Sequence, residues 1–197
     1  MPARTSAMAK DIGAQYDYSK LKACGEDVFI SANVEIRRPY LVKIGSHVAV
    51  DSGFYCTVAA EIGDYVHIGP YVTIIGGQNG LLRMGNFTTI AAGSRIICVT
   101  DELLGKGLVG PKIPKKYHDR LTASPVIFED FASVATNVVI FPGVTLREGS
   151  VVGAGSIVAK STEPWAIHMG IPSRLIETRE RTTMIKMAEE LGYPRKK

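Results

Sequence analysis

An apolar residue returns at every sixth position of this chain over two long stretches and one short stretch between them. A helix repeats near 3.6 residues and a strand near 2, so a period of six fits neither. The period indicates a solenoid, in which each repeat buries its apolar side only against its neighbours. The positions are Ile44, Val50, Cys56, Ile62, Ile68, Ile74, then Met84, Ile90, Ile96, and finally Phe128, Val134, Ile140, Leu146, Val152 and Val158.

A second, often smaller residue stands two positions before most of these, as at Val48, Val66 and Val138. Both sets can point inward while the residues between them face outward or form corners. One flat side per hexapeptide and three sides per turn predict a triangular prism, in which each coil consists of three hexapeptides. We expect the rhythm to start near Val28 and Val34, with about four extra residues before Ile44.

The largest interruption lies between Ile96 and Phe128, where the rhythm vanishes. The segment 101–124 contains three glycines, two prolines and four lysines. A loop of this length inside a compact repeat is usually functional or disordered. It is therefore the first place to look for chemistry.

The two ends lack the six-residue rhythm and predict separate elements. Residues 1–24 are expected to form a capping segment on a solenoid that occupies 25–176. In 177–197 a helix over about 178–191 is predicted, because Met184, Met187, Ala188 and Leu191 fall at helical spacing. A basic tail follows the helix.

Composition excludes several classes of function. A formal charge of +4 over 197 residues is too small to indicate nucleic-acid binding and is compatible with an anionic small ligand. The three cysteines form no CxxC motif, which indicates a reducing compartment, and we expect a cytoplasmic protein. No signal peptide is evident, and no apolar run is long enough to span a membrane.

The C-terminal half carries specific motifs. They are the stretches 137–145 (NVVIFPGVT) and 152–160 (VGAGSIVAK), the pair Pro164-Trp165, and 169–174 (MGIPSR). These, with 62–70 (IGDYVHIGP), resemble the hexapeptide-repeat acyltransferases of the galactoside, maltose and surface-polysaccharide types. The resemblance implies a left-handed parallel β-helix, a homotrimer, and acetyl-coenzyme A lying in the groove between adjacent prisms.

The resemblance also implies where a catalytic base should lie, and there the chain departs from the galactoside type. That type has a histidine directly after the coil that precedes the long loop, whereas this chain has Asp101, followed by Glu102. Either a carboxylate serves as the base, or a histidine arrives from elsewhere, with His67 and His118 as candidates. An Asp101–His67 pair is the favoured hypothesis, while His47 and His168 are expected to be structural.

Other site residues follow from the resemblance alone. Small residues are expected along the pantetheine arm, at Ala135, Thr136, Ala154, Gly155 and Ala159. Cations are expected near the coenzyme phosphates, at Lys160 and Arg174. No cluster of histidine, cysteine or carboxylate side chains shows metal-ligand spacing, so no metal is expected.

The sequence thus predicts an acetyl-coenzyme A-dependent acetyltransferase that acts on a sugar hydroxyl in surface-polysaccharide biosynthesis. Two alternatives stay open. The first is N-acetylation of a nucleotide-linked amino sugar, because an amine acceptor depends less on a histidine base. The second is a non-catalytic β-helix scaffold.

Overall fold

The computed structural model describes residues 15–118 and 120–193, which form a three-sided solenoid of about seven turns. Most of the predicted N-terminal cap and the basic tail lie outside these ranges. Of the cap, Gln15 forms a β-bridge to Ser31, and a 3₁₀ turn spans Tyr18–Lys20. Further 3₁₀ turns lie at Pro39–Leu41, Gly77–Asn79 and Lys115–Tyr117.

Each side of the prism is a sheet of short parallel strands, one from each successive coil. The first face has six strands, in which Lys43, Glu61 and Arg83 point outward. Its strands are β1 (Ala23–Cys24), β4 (Val42–Ile44), β7 (Ala59–Ile62), β10 (Leu81–Met84), β15 (Val126–Phe128) and β18 (Thr145–Leu146).

The second face has eight strands, of which seven are parallel and the last, β22, is antiparallel to β21. Its outward residues are mostly small or uncharged, such as Ala49, Thr89 and Ser133. Its strands are β2 (Phe29–Ile30), β5 (Ala49–Val50), β8 (His67–Ile68), β11 (Thr89–Ile90), β16 (Ser133–Val134), β19 (Val151–Val152), β21 (Ala166–Met169) and β22 (Arg174–Thr178).

The third face completes the triangle with six parallel strands. Its outward residues become apolar towards the C-terminal end, at Val139 and Ile157. Its strands are β3 (Glu35–Ile36), β6 (Tyr55–Cys56), β9 (Thr73–Ile75), β12 (Arg95–Ile97), β17 (Val139–Ile140) and β20 (Ile157–Val158).

Both apolar sets predicted from the sequence point into the prism. Every member of the six-residue series is at most 6% exposed, and the preceding set, which includes Val48 and Val138, is buried with it. Strand pairs such as Phe128 with Leu146 are three hexapeptides apart, which confirms the predicted coil. Burial of this continuous apolar column supplies the main driving force for folding.

The first coil departs from the predicted register. Ile30 and Ile36 are the buried ladder residues, whereas Val28 and Val34 occupy the half-buried positions two residues earlier. Cys24 pairs with Ile44, and the offset between them is three hexapeptides plus two residues. This coil therefore contains two extra residues, half of the four that the sequence predicted. The error arose because both positions carry aliphatic side chains here, and spacing alone does not distinguish them.

Glycines that follow the ladder positions on the first face have a steric reason. A Cβ at Gly45 or Gly63 would collide with a side-chain oxygen from the next coil. At Gly45 that oxygen belongs to Asp64, which accepts a hydrogen bond from the backbone N–H of Ser46 at 2.7 Å. The missing side chains therefore make room for polar groups that cap the corner between the first and second faces.

The same corner carries a stack of aromatic rings, which we call the aromatic stack. Its members adopt positive φ angles between 54° and 64°, and neighbouring ring centroids lie 4.5 to 5.7 Å apart. Such φ values are uncommon for bulky residues, so the contacts between rings must offset the backbone cost. The members are His47, Tyr65, Phe87, Phe131 and Trp165.

A helix, α1 (Thr182–Glu190), packs on the aromatic stack. It is shorter than the predicted 178–191, because residues up to Thr178 belong to β22. Ala188 is buried against Phe131 and Trp165. Beyond the helix, the Tyr193 hydroxyl donates to Asp64 at 2.8 Å, and this carboxylate raises the pKa of the Tyr193 phenol to about 12.

The three cysteines are free and sit inside or beside the core. Burial raises the pKa of the Cys56 thiol to about 11 and that of Cys98 to about 12. Both thiols therefore stay protonated at neutral pH and act as small apolar groups. In the described part of the chain, no helix has the length and apolar character needed to cross a membrane.

The long insertion leaves the prism after β12, at the corner between the third and first faces, which we call the loop corner. It starts and ends as an antiparallel pair of strands, β13 (Val99–Asp101) and β14 (Leu121–Ala123). The N–H of Ser124 donates to the carbonyl of Cys98, so the chain returns to the point at which it left. The insertion is thus a hairpin arm added to an otherwise continuous prism.

We predict that Leu82→Ala destabilises the protein by about 2–5 kcal/mol, because Leu82 is fully buried and its truncation leaves a cavity. The matched control on the same strand is Arg83→Ala, which removes an exposed ion pair with Glu61 and should cost about 0–1 kcal/mol. Denaturant unfolding measures both, and equal losses would contradict the assigned inward register.

Candidate functional site

The side chains of Asp101 and His118 meet at the root of the hairpin arm. The His118 Nε2 lies 2.5 Å from Asp101 Oδ1, and the two side chains are 14% and 24% exposed. A short contact between mostly buried partners of this kind is a strong, well-oriented interaction. The pair joins the two ends of the insertion across 17 residues of sequence.

Local structure on both sides holds this pair in place. Asp101 ends β13, where it faces Leu121 across the antiparallel ladder. The 3₁₀ turn Lys115–Tyr117 leads directly into His118, whose N–H donates to the carbonyl of Lys115. The imidazole therefore arrives at Asp101 from an ordered segment.

Glu102, the next candidate, has a structural task. Its carboxylate accepts hydrogen bonds from the backbone N–H groups of Leu104 at 2.7 Å and Lys106 at 3.2 Å. These bonds fix the first turn of the arm. A carboxylate committed in this way is a weaker candidate for the base than Asp101 or His118.

Within one chain the two members of the favoured Asp101–His67 pair lie apart, so this pairing stays a prediction. His67 lies on β8 and points outward from the second face, where its Nε2 is 3.0 Å from Asp51 Oδ2. Asp101 leaves the prism from the loop corner, which lies opposite that face. The sequence gives the direction in which His67 points but not which face of the prism carries it. A separate role for His67 stays a prediction.

The remaining two histidines lie where a structural role was expected. His47 stacks on Tyr65 and its Nδ1 is 2.9 Å from Asp27. His168 is buried at the C-terminal end of the prism. Its Nε2 is 2.8 Å from Glu163, close enough for an ion pair but without hydrogen-bond geometry, so we treat this contact as electrostatic.

The residues predicted to line the coenzyme fall into two groups on either side of the third face. Ala135 and Thr136 stack on Ala154 and Gly155 at the corner between the second and third faces, where the Gly155 N–H donates to the Thr136 carbonyl. All four follow strands of the second face, and their exposed backbone leaves room for a ligand to approach closely.

Ala159 and Lys160 form the other group, at the loop corner and two coils beyond the hairpin arm. Consecutive coils are about 4.8 Å apart, so this group lies about 10 Å along the corner from the root of the arm. Both residues are exposed. Arg174 begins β22, next to Ser173, whose N–H donates to Ile157 on β20. The structure thus places all the predicted coenzyme residues around the last turns of the third face.

The arrangement at the root of the arm suits proton transfer. With Asp101 accepting from Nε2–H, the Nδ1 atom of His118 carries the lone pair and is the nitrogen that can take a proton. Among the described residues, no group of three or more histidine, cysteine or carboxylate side chains could hold a metal ion.

Sequence reasoning named His118 but ranked it behind His67. A signal for the contact between Asp101 and His118 was present in the two short β-prone segments that flank the insertion, Val99–Asp101 and Leu121–Ala123. Their pairing as a hairpin would have predicted that the two ends of the loop lie together.

Comparison with known proteins extends the description. AntD, an N-acyltransferase from Bacillus cereus solved with dTDP and 3-hydroxybutyryl-CoA, superposes with a TM-score of 0.84 and is 30% identical over 90% of this chain and 96% of its own. The dTDP-4-amino-4,6-dideoxy-D-glucose acyltransferase of Escherichia coli is 27% identical over 81% of this chain and 83% of its own length.

A third relative belongs to the O-acetyltransferases. The galactoside O-acetyltransferase of Escherichia coli strain K12 is 28% identical over 75% of this chain and 62% of its own length. No protein-family model matches the chain.

The fold is a left-handed parallel β-helix of the acyltransferase type, with a hairpin arm at its loop corner. The chain belongs to the hexapeptide-repeat acyltransferases. It is thus an acyltransferase, which sets aside the non-catalytic scaffold, and the resemblance inferred from its motifs is confirmed.

We predict that Asp101→Asn and His118→Ala each lower kcat for acyl transfer about 10²–10⁴-fold, the usual contribution of a positioned general base. The matched control is His47→Asn, which alters a histidine–carboxylate pair on a remote corner and should leave kcat unchanged. Steady-state kinetics over a pH series measures the effect. A wild-type kcat and pH profile in His118→Ala, with folding verified by circular dichroism, would remove His118 from the mechanism.

Proposed function

We propose that this enzyme transfers an acyl group from an acyl-coenzyme A to the amino group of a nucleotide-linked amino sugar. The observation that carries the proposal is the similarity over nearly the whole chain to AntD, an N-acyltransferase that has been solved with dTDP-4-amino-4,6-dideoxyglucose and coenzyme A. The related Escherichia coli enzyme is named for acylation of the same nucleotide sugar. The order of preference reached from the sequence, hydroxyl before amine, is therefore reversed.

The Asp101–His118 pair supplies the proton chemistry that such a transfer needs. The attacking amine must lose a proton as the carbon–nitrogen bond forms and the carbon–sulfur bond breaks. In the proposed mechanism His118 Nδ1 accepts that proton, and Asp101 holds the ring in position through its contact with Nε2. The proton then leaves with the thiol, so the pair returns to its starting state.

The loop corner gives the acyl donor a path to this pair. A thioester arm that runs past the small side chain of Ala159 towards the root of the hairpin would bring its carbonyl to His118. The exposed Lys160 lies farther along this corner, where the coenzyme phosphates would be, whereas Arg174 lies at the corner between the second and third faces. Holding both reactants in one orientation supplies much of the rate enhancement in acyl transfer.

Transfer to a sugar hydroxyl is the second candidate. It is supported by the similarity to the galactoside enzyme and, at 28% identity, to the putative colanic acid biosynthesis acetyltransferase WcaF of Escherichia coli strain K12. An acetyl donor and a role in surface-polysaccharide synthesis belong to this candidate. A hydroxyl needs a stronger base than an amine, and the oriented imidazole of His118 would meet that need. The cytoplasmic location stays a prediction.

A homotrimer completes the proposed enzyme. The outward column of the second face carries no lysine, arginine or carboxylate on its parallel strands, whereas the first face presents Lys43, Glu61 and Arg83 to solvent. The charged face is suited to water, and the uncharged face to contact with another copy.

We predict that free thiol is released faster with a nucleotide-linked 4-amino sugar than with a simple galactoside, measured as kcat/KM under identical acyl-coenzyme A. An unreactive amino sugar together with a reactive hydroxyl acceptor would overturn the amine proposal in favour of the second candidate. Mass spectrometry of the product identifies the acylated atom, and the protein without donor serves as the control.

We predict that Val151→Glu on the second face converts the trimer to monomers, because three buried carboxylates would meet no partner. Lys43→Glu on the first face is the control and should leave the assembly intact. Light scattering after size-exclusion chromatography measures both masses. An unchanged trimer in Val151→Glu would exclude the second face from the interface.

A further inference from the structure

The hairpin arm holds a basic pocket that the transfer chemistry does not use. Its lining residues are Gly105, Lys106, Gly107, Leu108, Lys116 and Tyr117, which enclose about 330 Å³. Two lysines and one tyrosine are among the lining residues, and none of the described residues that line it is a carboxylate. The composition of the pocket therefore suits an anion attached to a planar or apolar group.

Charge is concentrated on this arm. Residues 102–120 contain four lysines and one arginine against two carboxylates, so the arm carries three of the four net positive charges of the chain. The rest of the chain is close to neutral. A ligand with two negative charges is thus drawn to the arm and not to the faces of the prism.

The walls of the pocket are ordered by contacts within the arm. The N–H of Leu108 donates to the carbonyl of Tyr117 at 2.8 Å, which joins the two sides. Lys116 Nζ lies 4.5 Å from the centroid of the Tyr117 ring, and the N–H of Lys106 is fixed by Glu102. The backbone that carries the two lysine side chains is therefore held in place by hydrogen bonds within the arm.

The pocket also adjoins the Asp101–His118 pair. Tyr117 precedes His118, and Glu102, which fixes the turn at Lys106, follows Asp101. A group bound in the pocket would therefore lie close to His118.

We propose that this pocket binds the diphosphate of the nucleotide-sugar acceptor, with Lys106 and Lys116 pairing its oxygens. The inference rests on the proposed function and deepens it, because it assigns a residue set to the acceptor nucleotide. Coenzyme A also carries a diphosphate. In that molecule the whole pantetheine arm separates the diphosphate from the thioester, whereas in a nucleotide sugar the diphosphate is joined directly to the sugar. A pocket next to His118 therefore fits the acceptor.

The test is calorimetric titration of the full-length protein with dTDP, with inorganic pyrophosphate and with coenzyme A. Lys106→Ala and Lys116→Ala should each raise the dissociation constant for dTDP about ten-fold, the loss expected for one partly exposed charged hydrogen bond. The affinity for pyrophosphate should fall by a similar factor, and the affinity for coenzyme A should stay unchanged. Lys112→Ala is the matched control, a lysine of the same arm outside the pocket, and should change none of the three.

Kinetics gives a second readout. The lysine variants should raise KM for the nucleotide acceptor with kcat unchanged, unlike variants of Asp101 or His118. The proposal is overturned if a double variant with both Lys106→Ala and Lys116→Ala binds dTDP as the wild type does. It is also overturned if Lys112→Ala weakens dTDP binding equally, or if the variants lose affinity for coenzyme A instead of dTDP.

The titrations require no turnover, so the two proposals fail separately. Binding of dTDP that depends on Lys106 and Lys116, without acylation of an amino sugar, would overturn the proposed function and leave the pocket assigned. Acylation of an amino sugar by the wild type, with unaltered dTDP affinity in the double variant, would support the proposed function and overturn the assignment of the pocket.

Discussion

Hydrogen bonds between successive coils are the interaction on which the whole molecule depends. Most strands of the prism are only two to four residues long and have no independent stability. Each is held because its N–H groups donate to the coil beside it, as Ala49 does to Val66 and Tyr55 does to Val72. Such stacking requires every coil to place the same kind of residue at the same point. The six-residue rhythm is the record of that requirement.

Where the stacking is uniform, the sequence was sufficient to predict the structure. The inward positions, the coil of three hexapeptides and the site of the insertion all followed from spacing. Where a coil gains residues, spacing is ambiguous, and the register at Ile30 and Ile36 was misjudged for that reason. The aromatic stack was also missed, although His47, Tyr65, Phe87 and Phe131 each stand three residues after a ladder position.

The contact between Asp101 and His118 could be predicted only in part from the spacing of residues in the sequence. Asp101 was identified through its position before the insertion, and His118 was one of two candidate partners. The choice between them depended on the path of a loop with no repeat, which is fixed by strand pairing and by Glu102 as a cap. A regular scaffold thus carries an irregular arm, and the pairing of the two ends of that arm brings Asp101 and His118 together.

The aromatic stack has a spectroscopic consequence. Trp165 is the single tryptophan of the chain, and it lies at the end of the stack, buried beneath α1. Its indole N–H points to Glu148 at 3.3 Å. The intrinsic fluorescence of the protein therefore reports on one place, the seat of the C-terminal helix. Release of that helix would expose the indole to water and shift its emission to the red, whereas movements of the hairpin arm on the remote corner would leave the spectrum unaltered.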